Sequence, residues 1–100
     1  MATVSDHRKA LTSRIIDGDG TASREQRRAA FDAHGPEGAS ALIEKIARHA
    51  YKVTDADIAA VKAAGFSEDQ IFELAVCAAI GQATRQLDNA LAALDAATKE

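Results

Sequence analysis

From Ser67 to about Ala97 the chain holds no proline and a single glycine, Gly81, so nothing in that stretch forces a helix to stop. A helix of that length is ~45 Å long at ~1.5 Å per residue, and in a chain of 100 residues everything else has to be arranged around it. Val76, Ile80, Ala83, Leu87, Ala90 and Leu94 recur at alternating spacings of four and three, the stripe of a helix packed along its length. Between Leu74 and Ile80 the helix is apolar on nearly every side, which predicts enclosure from several directions. Gly81 and the alanines beside it suit a close helix crossing. The end beyond Arg85 reaches past what four short helices can cover, so another subunit is expected there.

Four shorter helices are set off by their own punctuation. The first is expected from about Ser5 to Ile16, stopped by Asp17-Gly18-Asp19-Gly20. The second starts at Ser23, where Gln26 completes a capping box, and runs to His34 before Gly35-Pro36. Its apolar side is thin: Ala29, Ala30, Phe31 and Ala33. The third covers Pro36 to Tyr51, with Ala39, Leu42, Ile43, Ile46, Ala47 and Ala50 at helical spacing. Thr54 caps the fourth with Asp57 three residues on, Val53 staples against Ile58, and Gly65 supplies a left-handed stop. Ser67 with Gln70 repeats the capping box for the long helix, with Phe66 and Ile71 as a second staple and Glu68 and Asp69 at the positive end of its dipole. No strand alternation, internal repeat, low-complexity tract or interdomain linker is visible. The expectation is an all-α, multi-helix domain over residues 1–100, of about five helices with a long C-terminal one.

Hydrophobic residues make up 47% of the chain, but mostly as alanine, with no tryptophan. Alanine favours helix and close approach yet buries little area. Such a core is lean at this length, which again predicts burial against a second copy. The net charge is −3, and the densest basic cluster, Arg24, Arg27 and Arg28, reads as a solvated helix face; an acidic chain argues against a nucleic-acid partner. Cys77 is the only cysteine, so no internal disulfide forms and a reducing compartment fits. Met1 to Lys9 lacks the apolar core of a signal peptide. The most apolar run, Ile71 to Ile80, is broken by Glu73 and too short to span a bilayer. A cytoplasmic protein with no membrane partner is expected.

Residues able to carry chemistry are few. Asp17-Gly18-Asp19-Gly20-Thr21 resembles the middle of a calcium loop, but that register puts Ile15 at the first ligand position and Gln26 at the twelfth, where acids are needed. It reads as a glycine-rich turn. His7, His34 and His49 are scattered without the paired spacing of a zinc site, so neither metal nor cofactor is expected. His49 ends its helix facing the next helix start, with Glu44 and Lys45 about a turn behind. Cys77 lies mid-helix among alkyl groups, where a thiol behaves as a small hydrophobe rather than a nucleophile. Glu73, flanked by Phe72 and Leu74, is expected in an ion pair or at an exposed edge, with a raised pKa as the alternative.

The elements Ala63-Ala64-Gly65-Phe66-Ser67-Glu68-Asp69-Gln70-Ile71-Phe72-Glu73-Leu74 and Ala79-Ile80-Gly81-Gln82-Ala83 resemble the second half of the carboxymuconolactone decarboxylase and alkylhydroperoxidase-D superfamily. The resemblance is strongest over residues 42–94. It implies an alkylhydroperoxidase-D-like helical fold that assembles as a homo-oligomer, a trimer or hexamer, here through the long C-terminal helix. The redox branch of that superfamily carries Cys-x-x-Cys followed three residues later by histidine. Counted back from Gly65, those positions fall on Ala50, Val53 and Ala56, so this chain lacks the motif. A dithiol cycle needs one thiolate to attack and a second to resolve, which excludes a dithiol peroxidase. The decarboxylase branch uses a histidine in the same region, and His49 does not fall on the matching position.

Two functions follow as expectations. The first is a non-redox, oligomeric helical protein, not an enzyme, that binds a small ligand or assists a partner. The alternative is a decarboxylase- or isomerase-type enzyme in which His49, Glu44 or Glu73 performs acid–base work shared between subunits.

Overall fold

The computed structural model describes residues 3–99 and is all-helical: α1 (Val4–Asp17), α2 (Arg24–Phe31), α3 (Ser40–His49), a single 3-10 turn (Ala50–Lys52), α4 (Asp55–Ala63) and α5 (Glu68–Thr98). No strand occurs among the described residues. Met1, Ala2 and Glu100, included in the expected domain and, for the first two, in the signal-peptide reading, lie outside them.

Four of the five helices begin with a reciprocal capping box, in which a hydroxyl accepts from the N3 amide and the N3 side chain accepts from the N-cap amide. The pairs are Thr3 with Asp6, Ser23 with Gln26, Thr54 with Asp57, and Ser67 with Gln70. The last three match the sequence expectation; Thr3 starts α1 slightly earlier than expected. Val53 and Ile58 pack on one apolar cluster, which holds Ile71 and has Phe66 against it as well. At the end of α4, Gly65 is left-handed (φ 105°), the Phe66 amide donates to the Val61 carbonyl at 3.4 Å, and Phe66 packs over Val61.

Three further boundaries differ from the sequence reading. α2 ends at Phe31, not His34, because Ala33 takes the left-handed position (φ 69°) normally given to glycine. The His34 amide then reaches the Ala29 carbonyl (2.8 Å) and the Ala33 amide reaches Ala30 (3.0 Å), which closes the helix. α3 begins at Ser40 rather than Pro36. Gly38 (φ 90°) and an Ala39-to-Pro36 turn occupy the intervening residues, and Ala39 offers no side chain to cap an earlier start. At its other end the chain tightens into the 3-10 turn at Ala50 rather than continuing as α-helix to Tyr51.

α5 is the spine. Ile71 joins Ala39, Leu42 and Val61 in one cluster under α3 and α4, while Leu74, Cys77 and Ala78 join Ala22, Ala30 and Ile43 in a second under α2 and α3. The expected enclosure of Leu74–Ile80 holds only in part: Leu74, Cys77 and Ala78 are buried, Ala75, Val76 and Ile80 half-buried, and Ala79 exposed. One flank of this stretch therefore remains open.

At Gly81 the end of α2 lies directly on α5. A Cβ there would overlap the Phe31 carbonyl, with its carbon at 2.7 Å. The Arg85 Nη1, one turn further on, donates to the same carbonyl oxygen at 2.6 Å. Beyond this crossing every residue from Gln86 to Lys99 is exposed. The radius of gyration, 15.3 Å, exceeds the ~13 Å of a globular domain this size because that end projects.

Gly81→Ala is expected to destabilise the chain by about 1–3 kcal/mol through overpacking against backbone. Gly65→Ala, where a Cβ meets open space, should cost about 1 kcal/mol through its positive φ alone. Urea denaturation midpoints measure both, and an unchanged midpoint for Gly81→Ala contradicts the close crossing.

Candidate functional site

The loop between α1 and α2 is organised by a carboxylate from α5. Both oxygens of Glu73 accept from the Thr21 amide at 2.9 Å, one accepts from the Thr21 hydroxyl, and the Ala22 amide donates at 3.3 Å. Gly20 leaves room for this, since a Cβ there would fall on the Glu73 carboxylate. The glycine-rich segment after α1 is thus a turn that ends with the Thr21 and Ala22 amides facing an acid. Among the described residues no group of three or more histidine, cysteine or acidic side chains is placed to hold a metal.

Glu73 departs from the sequence expectation. It makes no ion pair among the described residues and is half-buried rather than at an exposed edge, because its partners are amides more than fifty residues away. Burial pushes its carboxyl up, but the Thr21 hydroxyl and the Thr21 and Ala22 amides, with the charge of Arg27, outweigh this and hold it below the ordinary glutamate range.

Arg27 corrects the solvated-face reading of the arginine cluster. Arg24 and Arg28 are exposed, but Arg27 is 4% exposed, on the face it shares with fully buried Ala30. Three residues apart on one helix, the two side chains point the same way. Its Nη1 donates to the Ile15 carbonyl at 3.3 Å, its Nε has no partner, and it forms no ion pair among the described residues. A charge removed from water with so few partners is expensive, and such groups mark functional sites.

Arg27, Glu73 and Cys77 meet in a cleft of about 180 Å³ with apolar walls from Ile15, Phe72 and Val76 and with Arg14 and Asp19 at its lining. The Cys77 thiol is buried and donates to the Ile15 carbonyl at 3.6 Å. Burial pushes its pKa up; Arg27 opposes and Glu73 reinforces that shift. The thiol is therefore protonated near neutrality and a poor nucleophile. With Glu73 ionised and spanned by three donors, the arrangement suits holding a molecule that offers acceptors to Arg27 and apolar surface to Phe72 and Val76. Phe72 is 69% exposed, so one wall stands open to solvent.

The three residues named for acid–base work are not brought together within one chain. Glu44 is exposed on α3, and His49 is exposed at its end, its ring edge-on to Tyr51 at 6.0 Å. Only Glu73 lines the cleft. Arg27 was hidden by its charge, although its phase with Ala30 pointed inward. Comparison of the chain with protein-family models, with curated proteins and with solved structures gives no match.

Glu73→Gln should lower stability by about 1–3 kcal/mol at about pH 7 by weakening the acceptor for Thr21 and Ala22. Because the folded-state carboxyl titrates below its ordinary value of 4.5, the unfolded chain binds more protons in acid. The stabilisation is complete above that value and is lost as pH falls through the lowered one, so the difference between the two proteins should narrow as the solution is made acidic. Chemical denaturation across that pH range measures it; a gap that widens in acid contradicts the assignment.

Proposed function

We propose that the chain is a non-redox member of the carboxymuconolactone decarboxylase and alkylhydroperoxidase-D superfamily, a homo-oligomeric helical protein that binds a small ligand in the Arg27–Glu73–Cys77 cleft. The observation that carries this reading is the open Phe72 wall. It begins an apolar stripe that continues uncovered along α5 through Leu87, Leu91 and Leu94, which are 40%, 50% and 60% exposed. A second copy laid on that stripe covers the projecting helix and closes the cleft in one step, burying leucines at about 25 cal/mol per Å². An isolated projecting segment this short is marginal in water, so a covering partner also accounts for its helicity.

The lone, buried, protonated thiol supports the non-redox part of the reading. It also suits a reducing compartment such as the cytoplasm. No helix among the described residues is long and apolar enough to cross a membrane.

Light scattering on the purified chain should give a trimer or hexamer, and Leu91→Glu with Leu94→Glu should reduce it to monomer with the helical circular-dichroism signal largely retained. Peroxide added with a dithiol reductant should not be consumed above the buffer rate. A wild-type monomer at micromolar concentration, or peroxide turnover above the buffer rate, overturns the reading.

A further inference from the structure

A second groove, of about 310 Å³, lies where α1 meets the end of α2 and α5, and it shares no residue with the Arg27 cleft. Arg8, Lys9, Thr12 and Ser13 line it from one side of α1, with Phe31 and Thr84 opposite. In a chain of net charge −3, this lining holds two cations and three hydroxyls and no carboxylate.

Arg8 is held in place by a carboxylate at the edge. Its Nη2 pairs with Asp88 at 2.9 Å, and about a third of the side chain (32%) stays open to solvent. Its Nη1 is sealed from solvent and has no hydrogen-bond partner among the described residues. Asp88 thus fixes the guanidinium at the groove edge, while Lys9 beside it has no acidic partner among the described residues.

We infer that this groove binds a dianionic phosphate group, either as free phosphate or as the monoester of a small apolar molecule. With the Thr84 hydroxyl committed to the Ile80 carbonyl, the groove still offers Arg8, Lys9 and the Thr12 and Ser13 hydroxyls as donors, and phosphate is an acceptor with enough oxygens to meet a guanidinium, an ammonium and a hydroxyl together. A carboxylate has fewer oxygens and half the charge, and leaves Lys9 unmatched once Arg8 is engaged. The half-buried Phe31 ring supplies an apolar wall for the body of an ester, and the volume exceeds what phosphate alone fills.

Isothermal titration calorimetry of the full chain at low ionic strength, with phenyl phosphate, inorganic phosphate and benzoate as probes, tests the assignment. Both phosphates should bind saturably and benzoate about tenfold more weakly or not at all. Tighter binding of phenyl phosphate assigns the groove to esters, and equal binding assigns it to free phosphate. Arg8→Gln and Lys9→Gln should each weaken phosphate binding about tenfold, while Arg48→Gln, the same charge change on exposed α3, should not. Lys9 is exposed and unpaired among the described residues, so Lys9→Gln carries the test if loss of the Asp88 pair unfolds Arg8→Gln. Absence of saturable binding by either phosphate, benzoate binding as tightly as phenyl phosphate, full affinity in Lys9→Gln, or an equal loss in Arg48→Gln overturns the inference. None of these results depends on the oligomeric state or on the Arg27 cleft.

Discussion

The structure depends on α5 holding α2 at both ends. Glu73 takes the amides of the loop that leads into α2, and Arg85 takes the carbonyl at which α2 finishes. The two side chains are about 18 Å apart along α5 at ~1.5 Å per residue, so α2 and α5 run in the same sense. An acid stands near the positive end of the α2 dipole and a base at its negative end, the favourable order. Between them small groups, Ala22 and Ala30 against Cys77, Ala78 and Gly81, pack beside Leu74 and Ile43. Small side chains let the backbones close to the distance at which the two polar clamps reach.

That arrangement explains why a core poor in large side chains suffices on one side of α5 and fails on the other. The α2 and α3 side is sealed by close approach. The opposite flank, from Phe72 onward, has no such partner among the described residues, and its exposed apolar groups follow α5 to its end. Site and surface are therefore continuous: the Arg27 cleft opens on the same flank that lacks cover. Arg27 itself is placed by the α2 clamp, since its neighbour Ala30 is the residue that packs most tightly there.

The starts of α2, α4 and α5 are legible because their signals are local. Ser23, Thr54 and Ser67 each precede a residue at the N3 position that can return the hydrogen bond, and the same logic applied to Thr3 and Asp6 identifies the start of α1. Gly65 announces its own left-handed turn, whereas Ala33 takes one with a residue that gives no signal, so the sequence pattern runs α2 on to His34. Pro36 looked like a first helical residue, yet Gly38 diverts the chain before α3 begins. Gly81 marks a crossing point in sequence and structure alike, although which helix crosses there depends on contacts some fifty residues apart. The candidate site was the least legible part. Charge suggested a solvated Arg27 and an ion-paired Glu73, but one is buried by its phase on α2 and the other is matched by backbone amides that no local pattern reveals.

Amide hydrogen exchange along α2 in Arg85→Gln tests the clamp most directly. With the Phe31 carbonyl released, protection should fall at the α2 amides and at Ala22, while α4, which Arg85 does not touch, should exchange as in the parent protein. Unchanged protection across α2, or an equal loss in α4, would contradict an α2 helix held in place from its two ends by α5.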